Sequence, residues 1–143
     1  MDINPNAVGH TLCVPKQEVD KLFDLDQEIY MHLMQFSKRI AAALEQAVPC
    51  KRVGMAVVGL EVPHAHVHLI PIHQMTDMSF QTKVKMQEED FISLAKKQVR
   101  CIRRTHHQFG VALPSFAADL GGNHSIYFTQ HQTPFSQRHL MQV

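Results

Sequence analysis

Little in this 143-residue sequence takes it outside the class of ordinary compact domains. Cysteine is scarce: Cys13, Cys50 and Cys101 are an odd number at wide spacing, which excludes a disulfide framework and a cysteine-based zinc motif. Excess charge of one sign is missing too. Fourteen Lys and Arg face 13 Asp and Glu, and a net charge of +1 offers no bulk attraction to nucleic acid or anionic membranes. Long hydrophobic runs are absent: Val53 to Leu60, eight residues, falls far short of the ~20 that span a bilayer. The opening Met1-Asp2-Ile3-Asn4-Pro5 has neither a basic n-region nor an apolar h-region, so no signal peptide is expected and the cytoplasm is the default compartment. What is present, 45% hydrophobic and 19% charged residues, suits one soluble globular domain. The unusual number is 11 histidines.

Composition changes near residue 105. The first 104 residues hold 25 of the 27 charged side chains, and the remainder only Asp119 and Arg138. Residues 105–143 are rich in His, Gln, Ser and Thr and show no sustained period, so the reading is a domain over 1–104 followed by a poorly ordered polar tail. Five histidines fall in that tail, at spacings that match no metal motif.

Within the domain the periodicities are legible. His10 to Val14 reads as a short strand closed by Pro15, which cannot donate to a ladder. Asp26 is a candidate N-cap for a helix to about Ala47, with Ile29, Leu33, Phe36, Ile40, Leu44 and Ala47 forming one stripe. Arg52 to Val58 is a strand with Val53, Met55 and Val57 on one face. Gly59 to Pro63 is a turn, Ala65 to Pro71 a further strand, and Gln87 to about Arg104 a second helix. A short connection between the last two strands requires antiparallel pairing, so the class is α+β.

The segment Pro63-His64-Ala65-His66-Val67-His68-Leu69-Ile70-Pro71 is the informative one. On a strand, His64, His66 and His68 would project to one face, and Ala65, Val67 and Leu69 into the core. Three imidazoles on one face need a shared hydrogen-bond network, a metal or an anionic ligand. The residues alone leave four readings open: solvated histidines, a zinc site, nucleophilic catalysis on phosphorus, or a phosphate pocket without turnover.

The pattern His-φ-His-φ-His-φ-φ (φ apolar), met at every position of His64 to Ile70, resembles the signature of the histidine triad (HIT) family. The segment from Asp2 to Lys16 resembles that family's strand-turn-strand before its central helix. The likeness runs over residues 1–104 and is nearest the nucleoside phosphoramidase-like branch. It implies an antiparallel sheet with a long central helix and a second C-terminal helix, and a homodimer to which the apolar stripe of the central helix contributes. It also implies a purine nucleotide substrate cleaved at the α-phosphorus, without metal or cofactor. His66 resembles the nucleophile, His68 the residue contacting phosphate oxygens or the leaving group, and His64 the residue orienting the triad. His10 resembles a further polar partner, Asp2 the acceptor of ribose hydroxyls, and Ile3 the apolar wall.

Two departures shape the expectation. The family has about two strands ahead of the segment that begins here at Asp2. Leu60 and Glu61 stand where many members carry polar donors to the α-phosphate, leaving backbone N–H groups around Gly59 as the substitute clamp. Two rivals follow: a nucleotide-binding regulatory module with little turnover, and a zinc-dependent hydrolase. The basic cluster Lys96, Lys97, Arg100, Arg103 and Arg104 reads as the solvated face of the last helix, and Cys13 as core.

Overall fold

The computed structural model describes residues 1–2, 4–81, 83–108 and 126–128, with only the backbone of 105–108 and 126–128. Strand β1 is Thr11–Pro15, helix α1 Gln27–Ala47, strand β2 Arg52–Ala56 and strand β3 Val67–Ile72. Helix α2 is Glu88–Gln108 and strand β4 Ile126–Phe128, and the sheet order is β2-β3-β1-β4. All three pairings are antiparallel, as the α+β reading requires.

The α1 stripe is the main wall of the core. Ile29, Leu33, Ile40, Leu44 and Ala47 are buried, and Phe36 packs against the same cluster. Burial of this face, rather than capping, stabilises the helix. Asp26 stands at the N-cap but its carboxylate makes no capping bond, and only its carbonyl accepts, from Tyr30. The stripe therefore lies inside the protomer, against Cys13, Val67 and Leu69 of the sheet. Cys13 is fully buried, and burial pushes its thiol up to about 12, so it is a core group. Helix α2 adds Ala95, Gln98, Cys101 and Ile102 to the buried interior, while Lys96, Lys97, Arg100, Arg103 and Arg104 face water.

Alternation divides the sheet into two faces. Thr11, Cys13, Val67 and Leu69 look toward the helices. Leu12, Ala56 and His68, directly paired across the strands, share the opposite face. That second face is covered by the segment after β3. A Cβ on Gly54 would fall 2.7 Å from the sulfur of Met78, so the Met78 side chain lies directly over the glycine of β2.

Two elements differ from the sequence reading. Strand β3 begins at Val67 rather than Ala65, so His64 and His66 precede it. The register explains why. Cys13 pairs with Val67, so two steps outward Pro15 would face Ala65, and Pro15 has no N–H to offer. The ladder stops, and the Ala65 N–H bonds the Val19 carbonyl at 2.7 Å instead. Strand β2 ends at Ala56, leaving Val57 and Val58 exposed in the following loop, and Met55 is itself 48% exposed on this edge strand. The expected tail at 105–143 falls mostly outside the described residues. Within them α2 continues to Gln108, and Ile126–Phe128 pairs with β1.

Gly9 closes the turn that delivers His10 to the sheet. Its φ is +87°, and a Cβ there would meet Val48 Cγ2 at 2.7 Å and Pro71 at 3.3 Å. Gly9→Ala combines a left-handed backbone penalty with a clash in packed surroundings. It should cost about 2–4 kcal/mol in urea unfolding. An unchanged midpoint would show that the turn relaxes freely.

Candidate functional site

The site is built outward from a histidine that touches no water. His10 is 0% exposed. Two backbone bonds hold it in place: Asp2 N–H donates to the His10 carbonyl at 2.7 Å, and His10 N–H to the Ala7 carbonyl at 3.0 Å. The Asn6 backbone N–H donates to His10 Nδ1 at 3.1 Å. A backbone amide can only donate, so Nδ1 is the acceptor and the ring proton sits on Nε2. That Nε2–H then donates to His68 Nδ1 at 3.0 Å. His68 in turn carries its own proton on Nε2, as a donor. One backbone amide thus sets two tautomers.

His66 is fixed the opposite way round. Its Nδ1–H donates to the His64 carbonyl at 2.7 Å, so Nε2 keeps its lone pair. Its ring meets that of His68 edge-on with centroids 4.7 Å apart. A nitrogen with a free lone pair therefore stands beside an N–H donor, the combination needed to attack an electrophile while binding its developing charge. His64 contributes its carbonyl to this arrangement. Its ring turns away and donates through Nε2 to the Pro15 carbonyl at 2.9 Å. His66 and His68 thus meet ring to ring, while the His64 ring is engaged with β1.

Burial sets the charge of the inner pair. Desolvation holds both His10 and His68 neutral, lowered to about 4. The nearby Asp2 carboxylate opposes this shift in each, and Lys83 reinforces it. Asp2 Oδ2 lies 3.3 Å from His10 Nδ1. Because that nitrogen already accepts from Asn6, we read the approach as electrostatic contact rather than a hydrogen bond. The other oxygen, Oδ1, accepts from the Asn4 N–H at 2.9 Å.

The remaining sequence-singled residues divide. Asp2 is beside the cluster, and Ile3 lies outside the described residues. Gly59 sits in an open turn with φ +67° and nothing within 4 Å of where a Cβ would stand, and no hydrogen bond among the described residues ties it to the histidines. Leu60 is 89% exposed and Glu61 is exposed, so neither is committed to packing. His73 is exposed, with its Nε2 donating to the Pro49 carbonyl at 3.0 Å. Sequence reading missed Asn6, Phe80, Lys83 and Gln98. Phe80 meets the His68 ring edge-on at 4.8 Å, and Gln98 reaches the Gly9 carbonyl at 3.4 Å. Only the 1-4 relation of Gln98 to Leu94 and Ile102, on the apolar side of α2, hinted at burial. As possible metal ligands, Asp2, His10 and His68 offer atoms within 4.8 Å of one another. The nitrogens through which His10 and His68 meet are already occupied by their mutual bond.

A family model described as HIT domain matches residues 1–75. An uncharacterized HIT-like protein of Borreliella burgdorferi is 30% identical over 104 residues, covering 66% of this chain and 75% of that protein. An adenosine 5'-monophosphoramidase of Saccharomyces cerevisiae is 36% identical over 72 residues, covering 50% of this chain. The match spans less than half, 46%, of the yeast protein's own length. The crystal structure of a hypothetical histidine triad nucleotide-binding protein from Sulfolobus tokodaii superposes with a TM-score of 0.64 at 23% identity, over 77% of this chain and 80% of that one, a likeness of fold. No helix among the described residues is long and apolar enough to cross a membrane.

The depressed inner histidines predict a pH dependence of stability. Each has a folded pKa of about 4 against 6.5 when unfolded, so between those values the unfolded chain binds protons that the folded chain refuses. Their contribution is complete above pH 6.5 and is lost as pH falls from 6.5 toward 4. The urea midpoint should decline as pH falls through that window, less steeply in His68→Gln, while the buried Met1 amino group, lowered to about 5 from 8.0, adds a decline of the same sign that begins nearer pH 8. An equal slope in the variant would remove His68 from the account.

Proposed function

The chain belongs to the HIT family, and from its site we infer that it hydrolyses a nucleotide derivative, a nucleoside phosphoramidate or related adenylylated compound, at the α-phosphorus. The single observation that carries this reading is the pairing of opposite tautomers: a lone pair on His66 Nε2 beside an N–H on His68 Nε2. The similarity to a phosphoramidase supports the substrate class.

In the proposed reaction His66 Nε2 attacks phosphorus and the bond to the leaving group breaks. The leaving amine takes a proton from solvent. The nucleotidyl-imidazolium so formed keeps its Nδ1–H on the His64 carbonyl, which stabilises its positive charge. Water then attacks phosphorus, the P–N bond breaks, the lone pair returns to Nε2 and the water's proton goes to solvent. His68, neutral because it is buried, acts as a hydrogen-bond donor to a phosphoryl oxygen rather than as a proton donor. Asp2 accepts the ribose hydroxyls, with Ile3 as the apolar wall. A second reading, a nucleotide-binding module with little turnover, draws on Leu60 and Glu61, whose exposed side chains supply no uncharged donor to phosphate.

Single-turnover reaction with an adenosine phosphoramidate, followed by intact mass, should show a transient adduct of one AMP on the parent chain and none on His66→Ala, with or without chelator. Binding of AMP without adduct or product, by a folded chain, would favour the second reading. Activity abolished by chelator and restored by zinc would overturn both.

Edge strand β2 and the loop after it expose Met55, Val57, Val58 and Leu60. An exposed apolar edge invites pairing, and we propose that a second copy covers it in a homodimer. Light scattering on the eluting protein should give twice the chain mass, and Met55→Lys with Val57→Lys should give the single mass. A parent chain at single mass would reject the dimer.

A further inference from the structure

The segment after β3 is more than a connection. Phe80 lies edge-on to His68 at 4.8 Å. Three residues on, Lys83 Nζ donates to Asn6 Oδ1 at 2.8 Å, and the Val84 N–H donates to the Pro5 carbonyl at 2.7 Å. The strap is thus fastened at two successive points to the turn whose next amide, that of Asn6, sets the His10 tautomer. A continuous path of bonds runs Lys83, Asn6, His10, His68.

The Asn6 side chain has one anchor. It is 4% exposed, and its Nδ2 has no hydrogen-bond partner among the described residues. Its Oδ1 is held by Lys83, which also settles which end of the amide is oxygen. Without Lys83, both ends of a buried amide would lack a partner among the described residues, a state that proteins avoid by moving the backbone. The backbone at stake is the one donating to His10.

We propose that Lys83 and Asn6 are positioning residues for the reacting pair: by clamping the 5–6 turn they keep the Asn6 N–H on His10 Nδ1, and so keep the His68 proton on Nε2. The proposal rests on the reading of His66 and His68 as the reacting groups. Lys83 has a second, electrostatic effect of the same sense, since its charge disfavours protonation of both inner histidines. The other titratable groups facing them are Asp2, His66 and, at His10, the Met1 amino group.

The test compares the full chain with Lys83→Met, Lys83→Gln and Lys83→Arg, each confirmed as folded by circular dichroism. Long-range proton–nitrogen correlation spectra at pH 7 report ring tautomers without substrate, with assignments from single histidine variants. The parent should show His10 and His68 protonated at Nε2. The Met and Gln variants should show mixed tautomers and histidine titrations moved to higher pH, and Arg should restore the parent pattern. With an adenosine phosphoramidate, kcat should fall about tenfold in Met and Gln, the scale of one lost orienting bond, with KM little changed. The acid limb of kcat should move upward in pH, and Arg should rescue both. Parent tautomers and an unmoved pH profile in Met and Gln would overturn the proposal. A parent chain without turnover would defeat the phosphoramidase reading instead, and the tautomer spectra alone would then decide this one.

Discussion

The hydrogen bond between His10 and His68 is the constraint around which the site is arranged. Both rings are withdrawn from water, and the Asp2 carboxylate, 3.3 Å from His10, does not offset the desolvation that holds them neutral. A buried neutral imidazole must still satisfy one donor and one acceptor nitrogen. His10 does so with a backbone amide on one side and His68 on the other. That demand explains the backbone bonds from Asp2 to His10 and from His10 to Ala7, and the left-handed Gly9. It also gives a reason for polar Gln98 on the inner face of α2, where it meets the Gly9 carbonyl and Thr11. The second helix is tied to the site through the same turn.

Much of this was legible in the sequence, for reasons particular to each element. The α1 stripe was legible because steps of three and four leave one solution for burying six apolar residues. Ala65, Val67 and Leu69 were legible as core because a chain extended on either side of a strand boundary still alternates. The boundary itself was not. It depends on Pro15 lying opposite Ala65, a matter of register between segments 50 residues apart, and register is not written in either segment alone. The orientation of His64 toward Pro15 follows from that same interruption, which frees a carbonyl for a side chain to fill. Gly59 was singled out by analogy of position and stands in an open turn without a bond to the histidines. Asn6 and Lys83 were invisible for a plainer reason: they meet across 77 positions of sequence, and the segment carrying Lys83 has neither helical nor strand period.

Access to water rises along the line from His10 through His68 to half-buried His66, and this gradient divides the chemistry. At the dry end protonation is settled by desolvation and by a backbone amide, both insensitive to solvent pH near neutrality. Tautomers carry that decision outward, because an imidazole that accepts at one nitrogen must donate at the other. At the wet end His66 has one nitrogen committed to a carbonyl and the other without a hydrogen bond among the described residues, which suits a group that must meet a phosphoryl centre and then release it. Environments that push chemically identical side chains toward different roles are how one residue type performs several tasks in a site. In such an arrangement the residues that govern reactivity need not approach the reacting atoms. A change at Asn6 or at the strap reaches His68 through one ring, whereas the exposed Leu60–Glu61 loop connects to the outer histidines, through the Val62 carbonyl that accepts from the His64 N–H. Sensitivity should therefore follow connectivity through the buried pair rather than distance from the nucleophile.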